Sequence, residues 1–71
     1  MGFIIEVHSW LGENLVRYLK GIGAHIDSHA VDPGGDGKDY IYGSIRGGWT
    51  KKELEERIAN CDIPKAMFKI S

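Results

Sequence analysis

Phe3, Ile5 and Val7 alternate with Ile4, Glu6 and His8, the period-two pattern of a strand with one buried and one wetter face. The period then changes. Leu11, Leu15, Leu19 and Ile22 follow at helical spacings and fall on one face, with Glu13, Asn14, Arg17 and Lys20 outside the stripe. Ser9 stands where a side-chain oxygen caps a helix start. Gly21 and Gly23 are expected to stop the helix, because glycine takes the positive φ of a C-terminal cap without steric cost.

From Ala24 to Arg46 two alternating segments flank a glycine-rich turn, AHIDSHAVDPGGDGKDYIYGSIR, which predicts a β-hairpin. A self-consistent register sets Ile26 opposite Ile45, Ser28 opposite Gly43 and Ala30 opposite Ile41 on the inner side. The outer side then carries His25 near Arg46, Asp27 near Ser44, His29 near Tyr42 and Val31 near Tyr40, and a slip of one residue would bury this polar set. Asp32 to Asp39, DPGGDGKD, has too many glycines and acids for a strand and is expected to form an exposed, mobile arm.

Thr50-Lys51-Lys52-Glu53 is a capping box, in which the threonine oxygen takes a first-turn amide and the glutamate reaches back to the threonine amide, with Trp49 and Leu54 placed as a hydrophobic staple. Leu54, Ile58 and Cys61 carry the buried stripe of this second helix. Pro64 is expected to end it, and Ala66 to Ile70 alternates as a last strand. The order β-α-β-β-α-β over residues 1–71 predicts a single α+β domain of ferredoxin-like type, a four-stranded antiparallel sheet with two helices on one face. The open face is expected to present Ile4, Glu6, His8, Tyr40, Tyr42, Met67 and Lys69, together with His25, Asp27, His29 and Arg46.

Length and charge narrow the function. A chain of 71 residues buries only about 60% of the surface its unfolded form exposes, and small folds without disulfides or metals often gain stability by oligomerising. A single cysteine, Cys61, excludes an internal disulfide and fits a reducing, cytoplasmic setting. Nine basic and ten acidic residues leave a net charge of −1, with no general attraction to nucleic-acid backbones or anionic membranes. The apolar run at the N-terminus is too short for a signal core or a membrane span.

Gly12 just after the first strand, GIGAHIDSHAVDP from Gly21 to Pro33, and the spacing to YIYGSIRG and IPKAMFKI resemble the ACT domain, a small βαββαβ regulatory module that binds amino acids or similar metabolites. The resemblance implies a ligand held between subunits, with Ser9, Trp10, Leu11 and Gly12 of one chain meeting Ile26 and Ser28 of a neighbour. Trp10 and Leu11 stand where that family usually has an acidic residue and a proline.

The remaining chemistry is weaker. His25, Asp27 and His29 put three metal-ligand types on one strand, but alternate residues lie about 6.6 Å apart and a site requires three or four ligands in correct geometry. A solvated polar face is the better reading, and no metal or cofactor is expected. No nucleophile stands at a diagnostic spacing from a base, so the chain is read as a non-enzyme. Tyr40 and Tyr42 after Lys38 partly resemble the base-stacking aromatics of an RNA-recognition motif, and with His25, His29, Arg46 and Lys69 they define an alternative face for single-stranded nucleic acid or nucleotides. Trp10 is expected to cover the core edge. The leading expectation is a homo-oligomeric regulatory binding module that takes a small molecule between subunits or controls a protein partner, as a small phage-type inhibitor does.

Overall fold

The alternation at the N-terminus becomes strand β1, Gly2–His8, and in the computed structural model, which describes all 71 residues, it lies inside the sheet. It pairs antiparallel with β3, Lys38–Ser44, from Gly2 opposite Ser44 to His8 opposite Lys38. On its other side it pairs with β4, Phe68–Ile70, through Ile5 opposite Ile70 and Val7 opposite Phe68. Strand β2, His25–Ala30, completes the order β2-β3-β1-β4. The helices α1, Ser9–Gly21, and α2, Lys51–Ala59, cross one face. The fold is the expected ferredoxin-like α+β arrangement.

The core follows from the two periodicities. Phe3, Ile5 and Val7 of β1 and Ile41 of β3, with Ile45 just beyond it, meet Leu11, Leu15 and Leu19 of α1 and Leu54 and Ile58 of α2 in one buried cluster. The end of α1 is closed by Gly23 at φ 92°. The Ala24 amide donates to the Leu19 carbonyl at 2.9 Å and the Gly23 amide to that of Lys20 at 3.1 Å, the paired bonds of a Schellman cap. At the start of α1 the structure departs from expectation: His8 is the N-cap and no side chain caps the helix.

In α2 the Thr50 oxygen accepts the Glu53 amide at 3.1 Å, while the Glu53 carboxylate takes the Thr50 hydroxyl rather than its amide. Trp49 packs against the core and carries Arg57 over its ring at 5.1 Å. The helix stops at Ala59, and Asp62 at φ 64° turns the chain. Cys61 therefore leaves the stripe and is exposed. Pro64 does not end the helix; it precedes a short 3₁₀ turn, Lys65–Met67, that shortens β4 to three residues and leaves Met67 partly buried against the core and beside Glu6, Lys38 and Lys69 of the open face.

The hairpin register differs most. Ile26 faces Gly43, Ser28 faces Tyr42, His29 faces Ile41 and Ala30 faces Tyr40, with a bulge at Asp27. Met1 and Ile45 exchange backbone bonds of 2.8 and 2.9 Å that continue the β1–β3 ladder on the edge of β3 away from β2, and on the β2 edge Ile26 takes Gly43 rather than Ile45. Gly43 admits β2 closely, since a Cβ there would overlap the His25 carbonyl and lie 2.9 Å from the Phe3 ring. The extra residue at Asp27 flips the parity of all that follows it, so Ile26 and His29 both point inward. Gly43→Ala should then lower stability by about 1–3 kcal/mol in urea unfolding. Gly48→Ala, where an added Cβ meets nothing within 4 Å, should stay within about 0.5 kcal/mol; equal losses would mean that the β2–β3 crossing relaxes at no cost.

Candidate functional site

The flipped parity brings His29 to Asp39. Asp39 is the second residue of β3 and shares the inner side with Ile41 and Gly43. At 1% exposure it is the one charged side chain in the core. An isolated buried carboxylate would cost several kcal/mol, and here both oxygens are hydrogen-bonded. Ser9 Oγ donates to Oδ1 at 2.6 Å, the Asp32 amide donates to Oδ1 at 3.0 Å, and His29 Nε2 pairs with Oδ2 at 2.5 Å. Burial pushes the Asp39 carboxyl up, but these bonds and the charge of His29 outweigh it and hold the group below the usual aspartate value. Gly12 is part of the same arrangement: a Cβ there would overlap the Asp39 carboxylate and lie 2.9 Å from His29 Nε2.

The turn between β2 and β3 is tied to this point rather than hanging as an arm. Asp32, at φ 46°, accepts the Gly37 amide at 2.8 Å on its own carboxylate. Asp36 accepts the Lys38 amide, and the Gly37 carbonyl takes the Ser9 amide at 2.9 Å. Lys38 and Asp39, read from sequence as loop, are the first residues of β3. One carboxylate thus clasps the β1–α1 junction, β2 and the β2–β3 turn.

The order of the three side chains decides what they do. Nucleophile activation needs a histidine between hydroxyl and acid; here the acid stands between, so Ser9 gives its proton to a carboxylate and has no bond to His29. Nowhere do three His, Cys, Asp or Glu side chains converge as a metal requires.

Of the residues expected to bind a ligand, Ser9 and Gly12 lie in the clasp and Leu11 is buried in the core. Ile26 is half-buried and packs on the core, while Ser28 is exposed on the other side of β2, opposite Tyr42. Trp10 does not cover the core edge: it is 71% exposed on α1. Val31, next to Asp32, is 68% exposed, so two apolar side chains flank the clasp in open water. Beside α1 runs a groove of about 390 Å³ against Cys61–Ile63, lined by Leu11, Tyr18 and Ile63 among others.

On the open face Tyr42 opposes Ile4, and Tyr40 and Lys69 flank Glu6 from either side. Glu6 pairs with Lys38 at 3.8 Å, and the Tyr40 hydroxyl is pushed up by burial and then by the Glu6 and Asp36 charges. His29 has left this face for the clasp. His25 meets only Asp27, at 3.1 Å and well exposed, a pair worth little, and Arg46 lies beyond β3 in water. A central glutamate with a net charge of −1 makes the face a poor platform for phosphates.

Asp39 is the residue that the sequence reading missed. Its signal is a parity shared with Ile41, Gly43 and Ile45, which the glycines and acids before it mask. Compared with known proteins, the chain matches no family model, no curated protein and no solved structure, so its site is read from its own geometry.

The depressed Asp39 carboxyl contributes stability that is present above about pH 4, the ordinary aspartate value, and is lost as pH falls through the folded value. Asp39→Asn should cost about 1.5–3 kcal/mol at pH 7 and weaken the acid dependence below about pH 4, as followed by urea unfolding at each pH. A variant with the wild-type acid limb would remove Asp39 as its source.

Proposed function

We propose that this chain is a non-enzymatic, ACT-like regulatory binding module whose contact surface centres on Trp10. The observation that carries the reading is the 71% exposure of this indole at the start of a helix pinned by the Ser9–Asp39 bond. Tryptophan is among the residues that most often supply binding hot spots of 2 kcal/mol or more. A ring on a fixed helix loses less freedom on docking than one on a loop. The space beside Gly12 is taken by Asp39 and His29 of the same chain. That favours a protein docked outside the β1–α1 turn over a small molecule inside it. The acidic centre of the open face favours the helix side over nucleic-acid binding by the tyrosines. The module works as an oligomer or on a protein partner in the cytoplasm.

A photo-crosslinking benzophenone in place of Trp10, compared with the same group in place of the exposed Lys52 of α2, tests this in the producing cells. Adducts formed at position 10 and not at 52 are expected. Equal labelling at both positions, or none at 10, would overturn the reading.

A further inference from the structure

Along α1, Trp10, Asn14, Arg17 and Gly21 recur at helical spacing and form the crest opposite buried Leu11, Leu15 and Leu19. Two of these side chains lack partners. Trp10 is 71% exposed. Arg17 has no ion pair within its own chain, and neither has Glu13 one turn before it. Beside the crest lies the groove of about 390 Å³, with Leu11, Tyr18 and Ile63 as apolar lining and Arg17 in its wall. That volume falls in the range of about 300–1,000 Å³ that takes ring-sized ligands. The same surface therefore carries an exposed indole and, beside it, a groove large enough to take one.

Building on the binding-module reading above, we infer that the partner met by Trp10 is a second copy of this chain, docked through an antiparallel pair of α1 helices with each Trp10 seated in the other copy's groove. A two-fold axis near Asn14 runs the helices antiparallel and carries Trp10 of one copy to Arg17 and Tyr18 of the other. The span is about 10 Å at 1.5 Å per residue. Each indole then meets a guanidinium, the contact that Arg57 makes over Trp49 at 5.1 Å within one chain. Each Glu13 comes within a turn of the other copy's Arg17, so opposite charges face each other on both sides of the axis. Anchor and receptor on one face, matching in both directions, is the condition for an isologous interface. An unrelated partner would need only one of the two. The residues involved lie outside the Asp39 clasp, so docking requires no rearrangement of it.

Sedimentation equilibrium of the full chain up to about 1 mM should show a reversible dimer. Trp10→Ala should weaken it at least about thirtyfold, with an unchanged unfolding midpoint at low concentration. A second block uses Cys61, which is exposed in the groove wall: a bulky maleimide there closes the groove and leaves Trp10 intact. Chains blocked in this way should also fail to dimerise, yet mixing them with Trp10→Ala should restore a weaker heterodimer, because one intact indole then meets one open groove. A monomeric wild type, a Trp10→Ala chain that dimerises as tightly as wild type, or two monomeric parents that do not complement would each overturn the inference. If the crosslinker at position 10 captures a different protein while the chain stays monomeric, self-pairing falls and the binding-module reading stands.

Discussion

One buried carboxylate fixes the geometry of this small protein. Asp39 lies at 1% exposure with donors from Ser9, His29 and the Asp32 amide, and each comes from a different part of the chain. Removing any donor would leave part of a charge unsolvated in the core, at about 1–3 kcal/mol, against a total stability that for a domain of this size is only a few kcal/mol. The clasp therefore sets the entry of α1, the inward turn of His29 and the path of the β2–β3 turn together. Gly12 follows from it, since a side chain there would displace the carboxylate.

The parts of the fold legible in the sequence are those fixed by local periodicity. Leu11, Leu15 and Leu19 mark the buried side of α1, Thr50 and Glu53 mark the start of α2, and Gly23 marks the end of α1, because each signal is carried within a few residues. The errors arise where a distant group decides. Ser9 has the residue type of a helix cap, but a carboxylate thirty residues away takes its hydroxyl. Matching apolar residues sets a β2 register that takes no account of how closely Gly43 lets β2 approach. The bulge at Asp27 then turned His29 from an expected surface residue into a clasp residue. Such a parity change leaves no local mark in a strand as polar as HIDSHA.

The same reasoning separates the two surfaces. On the open sheet face Glu6 lies between Tyr40 and Lys69 and pairs with Lys38, so the charges at its centre are met within the chain. On the helix side the unmet groups are Trp10, Arg17 and Glu13. A surface is read for binding by what it leaves unmatched, and by that measure α1 is the more informative face.

The exposure of Trp10 is a consequence of the clasp. Leu11 must point to the core and Gly12 must face Asp39, and these two constraints fix the rotation of α1 about its axis. A helix advances 3.6 residues per turn, so residue 10 is then carried to the crest whatever its type. A lysine or glutamate at that position would meet every requirement of the fold. The core gains nothing from an indole in water, which is why the proposed contact surface is centred on it.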